Sequence, residues 1–448
     1  DGALKGGKVG VIDLRLDAGA VVGRRDKDEA ILRDIDMAAR LTPESNGWVL
    51  DVNQFEVSGV QGPWPAAPAR LRYQRGEDTR PADFEAQATY LNVADLAPWL
   101  SLLPSEALKE QGARLRRVTG AVRGLVLRWN PNEQGPRYSL RADLEQIGLS
   151  SSRGLPGFEG LSGELSASES GGRLALREAP FGLSYPKVFG QTLGFESISG
   201  ELSWSRTGEG WDVRTPRFGW TLDGSRGEGE FALFMPDAVE RSPRLKLDAR
   251  FSAADVTRFK PYMPVFWNQN LRDWLDRAVV AGRSPTGRLR IDGELLDFPF
   301  IDKPGTFALD IDASNATLAF APDWPRVEKA SAHLEFRGSR LAIRGDSGRL
   351  SGARVEKVEA VIEDFREGRL RITGEVQGDA GRFYDFLGAS PLAPKVAALL
   401  NRTHASGDAV VEVALDIPLH AVRDTQVHGV AHLRGVQLKV NGVPEPIV

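Results

Sequence analysis

The residues whose types could do chemistry are few. His333, His404, His420, His428 and His432 are the full imidazole complement of the chain. His428 and His432 share one face of a predicted strand, but four residues along a strand cover roughly 13 Å, too far apart for one metal ion. Asp292, Glu294 and Asp297 are of the right type for the paired carboxylates of glycoside hydrolysis. Acids, however, occupy nearly every outward position of that run and mark a solvated face. The run GEGEF lacks the lysine and the strand-to-helix setting of a phosphate loop, and no G-x-S-x-G elbow occurs. With no cysteine there is no disulfide, thiolate nucleophile or thiolate metal site, a composition that suits an oxidising compartment. The pattern assigns no catalytic residue, no metal and no cofactor, and the chain is read as a non-enzyme.

Charge narrows the partners. Lys and Arg number 57 against 61 Asp and Glu in 448 residues, a net charge of −4, so the chain has no electrostatic footprint for a polyanion and nucleic acid is excluded as a partner. A hydrophobic content of 41% suffices for a large buried surface. The opening residues DGALKGGKVGVIDLRLD contain no signal-like apolar region, and no stretch approaches the ~20 apolar residues that span a bilayer. GGKVGVIDLRL reads as a strand in mid-flow, so the chain is expected to be a piece of a longer protein.

The elements that would have to position any site are strands. GFEGLSGELSAS at 157–168 returns as GFESISGELSWS at 194–205, with nine of twelve positions identical. In the first copy Leu161, Gly163, Leu165 and Ala167 face one way, and Ser162, Glu164, Ser166 and Ser168 the other; in the second, Ile198, Gly200, Leu202 and Trp204 repeat the apolar set. Such period-two alternation marks a sheet with one apolar and one wetted face. It recurs in RLKLDARF, GRLRIDGEL, TFALDID and VVEVALDI, with SESGG, RTGEG and DGSRGEG as hairpin turns.

A longer repeat overlies the strands. ADLAPWLSLLP, ADVTRFKPYMP and DAGRFYDFLGASP each follow a strand as a short, proline-broken helix, and each precedes a glycine-opened strand. The expected organisation is one body over 1–448 with approximate repeat units 1–93, 94–253, 254–378 and 379–448, and helical segments near 94–111, 255–281 and 380–402. Leu271, Trp274, Leu275, Ala278 and Val279 form the apolar stripe of a helix capped by Asn270, expected to pack on the sheet or plug its end.

Repeats that each expose an apolar face must bury it together. A transmembrane barrel would turn that face to lipid, but the opposite face carries Arg288, Arg290, Asp292, Lys246, Asp248 and Arg250, which belong in water, so the apolar face is the inside. The fold class is mostly β: an elongated, repeat-built antiparallel sheet plus a few short helices, its apolar face closed on itself as a filled β-sandwich, a barrel or a folded-over trough. A filled β-sandwich would act as a scaffold or interaction protein.

The order of PGFEGLSGELSASESGGRLAL, LSWSRTGEGWDV, ADVTRFKPYMP with LRDWLDRAVVAGR, GELLDFPF and FAPDWPRVEKASAHLEFRGSRLAIRG resembles the YhdP-like branch of the AsmA-like family, which also includes TamB. The resemblance covers most of the chain. It implies an elongated, curved, repeat-built antiparallel sheet folded into a trough with an apolar interior, the periplasmic piece of a Gram-negative envelope protein that is anchored in the inner membrane and moves phospholipid toward the outer membrane along a continuous apolar groove. The implied partners are phospholipid acyl chains in the groove and the two membranes through parts outside this piece. From their shared parity, the residues expected to line that groove are Leu165, Leu202, Trp204, Phe231, Leu247, Phe251, Leu289, Ile291, Leu309, Ile311, Phe336, Ile343, Ile372 and Val413.

Overall fold

A computed structural model describes residues 2–5, 8–25, 28–60, 62–76, 82–102, 106–131 and 136–440. The chain is mostly β and antiparallel, with a few short helices. It forms two compact units. Unit 1 holds residues 1–186, 194–220 and 232–241, and unit 2 holds residues 187–193, 221–231 and 242–448.

Unit 1 opens with strands β1 (Gly2–Lys5), β2 (Lys8–Arg25), β3 (Asp28–Glu44), β4 (Gly47–Gly59), β5 (Gly62–Pro63), β6 (Ala69–Gln74) and β7 (Asp83–Asn92). Helices α1 (Val93–Leu102) and α2 (Glu106–Leu115) interrupt before β8 (Val118–Trp129), β9 (Tyr138–Leu149), β10 (Gly157–Ser168) and β11 (Gly171–Ser184). Each strand pairs with the next as an antiparallel meander, except that β6 pairs with β4 beside the short β5. β12 (Leu193–Arg206), β13 (Gly210–Leu222) and β14 (Ser225–Pro236) follow in sequence.

Unit 2 runs through β15 (Arg244–Asp255), α3 (Gln269–Ala278), β16 (Val279–Glu294), β17 (Gly305–Leu318), β18 (Val327–Arg337), β19 (Arg340–Leu350), β20 (Ala353–Ile362) and β21 (Arg369–Asp379). Helices α4 (Ala380–Gly388) and α5 (Ala393–Leu400) then lead into β22 (Thr403–Pro418) and β23 (Gln426–Val440). These strands also pair in order. Helical insertions follow β7, β15 and β21.

An aspartate stands at each of those transitions, and backbone N–H groups explain it. Asp379 caps α4 through Gly381 N (2.8 Å) and accepts from Gly407 N (2.9 Å). Asp255 accepts from Thr257 N (2.9 Å), and Asp95, buried in α1, accepts from Val60 N (2.7 Å) and Trp64 Nε1 (2.8 Å). Donors left over at helix starts and turns are satisfied in this way.

The twin stretches 157–168 and 194–205 are both strands, but the first is bulged. Ser162, expected to face water, is buried, and its Oγ donates to Gly160 O and accepts from Gln146 N at 2.9 Å. The register slips on both sides of it, because Gly160 and Gln146 take left-handed φ values of 83° and 50°. The matching glycines of the two copies have a shared steric reason: a Cβ would lie 2.1 Å from Ala175 O at Gly163 and 2.7 Å from Arg217 O at Gly200. The cap of α3 also differs from expectation. Asn268 accepts from Asn270 N, one residue before the helix begins.

Candidate functional site

In unit 1 one apolar row crosses β2, β3, β4 and β6–β11, one residue per strand. Ile12 pairs with Leu41, Leu41 with Leu50, Leu50 with Leu71, Leu71 with Ala86, Ala86 with Leu127, Leu127 with Leu140, Leu140 with Ala167 and Ala167 with Gly172. Every member is half-buried. The row also lies outside the helix-covered cluster of Leu32, Ile35, Val57, Trp64 and Ala67, against which Leu96 and Trp99 of α1 pack. A closed sandwich core would instead bury such side chains completely.

One residue along each strand, the face changes character. Asp13 pairs with Arg40, Arg40 with Asp51, Asp51 with Arg70 and Arg70 with Gln87. Ion pairs lace this side: Arg40 to Asp13 at 2.7 Å, Arg70 to Asp51 at 3.6 Å and Arg128 to Glu85 at 3.5 Å. The Arg40 guanidinium holds the Asp13 carboxyl below its ordinary value.

Unit 2 carries a second such row. Phe251 pairs with Gly287, Gly287 with Ile311, Ile311 with Leu334, Leu334 with Ile343, Ile343 with Ala360, Ala360 with Ile372, Ile372 with Leu415 and Leu415 with Val427. Its neighbouring wet face pairs Arg290 with Asp310 at 3.5 Å, Arg344 with Glu335 at 3.5 Å and Arg369 with Asp416 at 2.9 Å.

This second row, itself mostly half-buried, borders a fully buried cluster that α3 joins. Leu271 of α3 is fully buried in a cluster with Phe336, Leu341, Ile362, Phe365 and Leu370. Trp267, Trp274 and Leu275 join Ile311, Leu334, Ile343, Ile372 and Leu415 around that cluster. Trp274 Nε1 donates to Phe320 O at 2.8 Å, and Lys260 pairs with Asp276 at 2.7 Å on the wet side. At one end of the face the Phe300 ring lies on the registered pair Gly293 and Gly305. The expected packing of α3 on the sheet is what the structure shows.

The residues expected to line a groove fall in two groups. Leu165, Leu202 and Trp204 are half-buried in unit 1, where Leu165 pairs with Ala142 and Leu174. In unit 2, Leu247 pairs with Ile291, and Leu289 with Leu309, which pairs in turn with Phe336. Phe251, Ile311, Ile343 and Ile372 belong to the second row, and Val413 pairs with Gly374 and Gly429. Phe231 is half-buried in β14. Phe336 alone of these fourteen is buried.

Sequence patterning missed the aromatic rung. Trp48 pairs with Tyr73, Tyr73 with Phe84, Phe84 with Trp129 and Trp129 with Tyr138, on the same face as the open row and two residues nearer the hairpin tips. The signal was present as one aromatic at the end of each strand.

Among the described residues there is no His, Cys, Asp and Glu group able to hold a metal ion, and no helix long and apolar enough to cross a membrane. The chain matches the YhdP protein family over residues 1–446. It is similar to the intermembrane phospholipid transporter YhdP of Escherichia coli (strain K12), with 25% identity over 418 residues, covering 91% of this chain and 33% of the transporter. The chain thus spans about a third of the length of that curated relative. No solved structure matches the chain at a significant level.

Proposed function

We propose, from the premise that this chain belongs to the YhdP family, that it is part of a non-enzymatic phospholipid conduit between the inner and outer membranes of a Gram-negative envelope. In this role it stands in the periplasm, and acyl chains travel along its apolar face. The observation that carries the proposal is the open row of unit 1 from Ile12 to Gly172, half-buried in every strand and backed by a charged face.

The energetics favour such a surface. A diacyl lipid has about 30 methylenes, and at ~0.8 kcal/mol each, passage through water faces a cost on the order of 25 kcal/mol. Acyl chains laid on an aliphatic row avoid much of that cost while the head group stays wet. A row of similar side chains, repeated strand after strand, offers similar affinity at each step, so no single site traps the lipid.

The test is transfer of a fluorescent phospholipid from donor vesicles to the purified chain. Replacing Leu50 and Leu127 by Asp should abolish uptake while circular dichroism stays unchanged. Undiminished uptake by the folded variant would refute the proposal and favour a β-sandwich scaffold.

A further inference from the structure

From tip to interior, the open face of unit 1 changes composition in steps of ~7 Å, the spacing of two strand residues. The tip of the β3–β4 hairpin carries Glu44, Ser45 and Asn46, and Asn46 is bonded to Arg75 beyond β6 through N–H and side-chain contacts of 2.7 and 2.6 Å. Arg75 is exposed. Next comes the rung of Trp48, Tyr73, Phe84, Trp129 and Tyr138, with stacked pairs at 5.6 Å (Trp48 and Tyr73) and 6.5 Å (Trp129 and Tyr138).

The aliphatic row follows. Beyond it Ala39 pairs with Val52, Val52 with Ala69 and Ala69 with Ala88, and Ala39 and Val52 are buried. Along β4 the face passes from half-buried Trp48 and Leu50 to buried Val52. Polar, aromatic and aliphatic layers in this order are what a phospholipid meets in a bilayer leaflet, where Trp and Tyr concentrate at the level of the head groups because one end of each ring is apolar and the other polar.

We propose that the aromatic rung is a head-group rail that fixes the orientation of the cargo. The acyl chains lie on the aliphatic rungs, the glycerol ester region lies against the five rings, and the phosphate faces the hairpin tips where Arg75 stands. This rests on the lipid-carrying function proposed above and adds a direction across the strands to it. The rings supply wide apolar contact at low entropic cost, and Arg75 supplies charge-assisted donors for a phosphate.

The test uses the full chain and two photo-activatable phosphatidylethanolamines in vesicles, one with a diazirine near the ester carbonyl and one with it at the chain terminus. Cross-linked peptides are then mapped by mass spectrometry. The rail predicts that the carbonyl-proximal probe marks the aromatic rung and the terminal probe marks the aliphatic rungs near Leu50, Leu71 and Leu127. In a Trp48→Leu/Trp129→Leu variant, carbonyl-proximal labelling of the rung should fall about threefold to tenfold, the size of the loss of ring contacts, while terminal labelling persists.

Reversed positions, or identical positions for both probes, would overturn the rail and leave the conduit standing. Undiminished rung labelling in the variant would overturn the rail too. Absence of labelling by either probe would overturn both.

Discussion

The indole of Trp204 lies directly on Gly172: a Cβ on that glycine would fall 2.3 Å from Trp204 Cζ2. Gly172 ends the open row, so the ring fills the gap that a missing side chain leaves in the apolar face. The same device recurs in unit 2, where the Phe251 ring covers Gly287, with a Cβ there only 2.1 Å from Cζ. Gly172→Ala should displace the indole and cost about 1–3 kcal/mol, as overpacking does. Urea unfolding would measure the loss, and tryptophan fluorescence would report the shifted ring.

Leu271 has no exposed surface and sits where α3 meets β18 and β19. Leu271→Ala should therefore destabilise unit 2 by about 2–5 kcal/mol, through lost transfer energy and an unfilled cavity. Hydrogen exchange should show the loss in β16–β22 and leave the amides of unit 1 protected as before.

The wet face makes stability depend on pH in a fixed direction. Asp248 is held below its ordinary value by its bond from Arg288, Asp312 by the hydroxyl of Thr286 and by His333, and Asp364 by Arg366. A carboxylate whose folded pKa is depressed contributes stability that is present above the unfolded value of about 4 and lost as pH falls through the lowered value. Thermal midpoints should be flat with respect to these groups from about pH 5 to 7 and drop below about pH 4. Asp312→Asn should flatten part of that drop.

Two of the three helical insertions offer a contrast in lipid access. The row in unit 1 lies outside the cluster that α1 joins, whereas in unit 2 Leu271 of α3 is buried in one cluster with Leu341, Ile362 and Leu370 of the sheet. In a chain free of cysteine, single thiols can be placed at will. Leu71→Cys should react readily with a lipophilic maleimide, and Leu341→Cys, at a site only 2% exposed in the cluster that α3 joins, should react about tenfold or more slowly, since burial limits access to a thiol. Equal rates would show that α3 does not shield that cluster.

Much of this fold is legible in the sequence because alternation is a local property. Leu289, Ile291 and their charged neighbours declare two faces without reference to any other strand, and the spacing of Leu271, Trp274, Leu275 and Ala278 declares a helix. Register is not local. The aromatic rung assembles from Trp48, Tyr73, Phe84, Trp129 and Tyr138, and only hairpin geometry brings them level. Bulges defeat period counting outright, as Ser162 shows: left-handed backbone at Gly160 and Gln146 turns a seryl side chain inward against its parity. Which residues a helix buries is also decided by tertiary packing, so the sequence alone gave no reason for the unit 1 row to stay half-buried while Leu341, Ile362 and Leu370 are sealed in one cluster with Leu271 of α3.

The most direct measurement is native mass spectrometry with lipid extraction on the chain purified from a bacterial envelope. A lipid conduit predicts bound phospholipid in the wild-type chain and its loss in the folded Leu50→Asp/Leu127→Asp variant. A chain of bare mass that takes up no added phospholipid, or a variant that retains its lipid in full, would contradict that account.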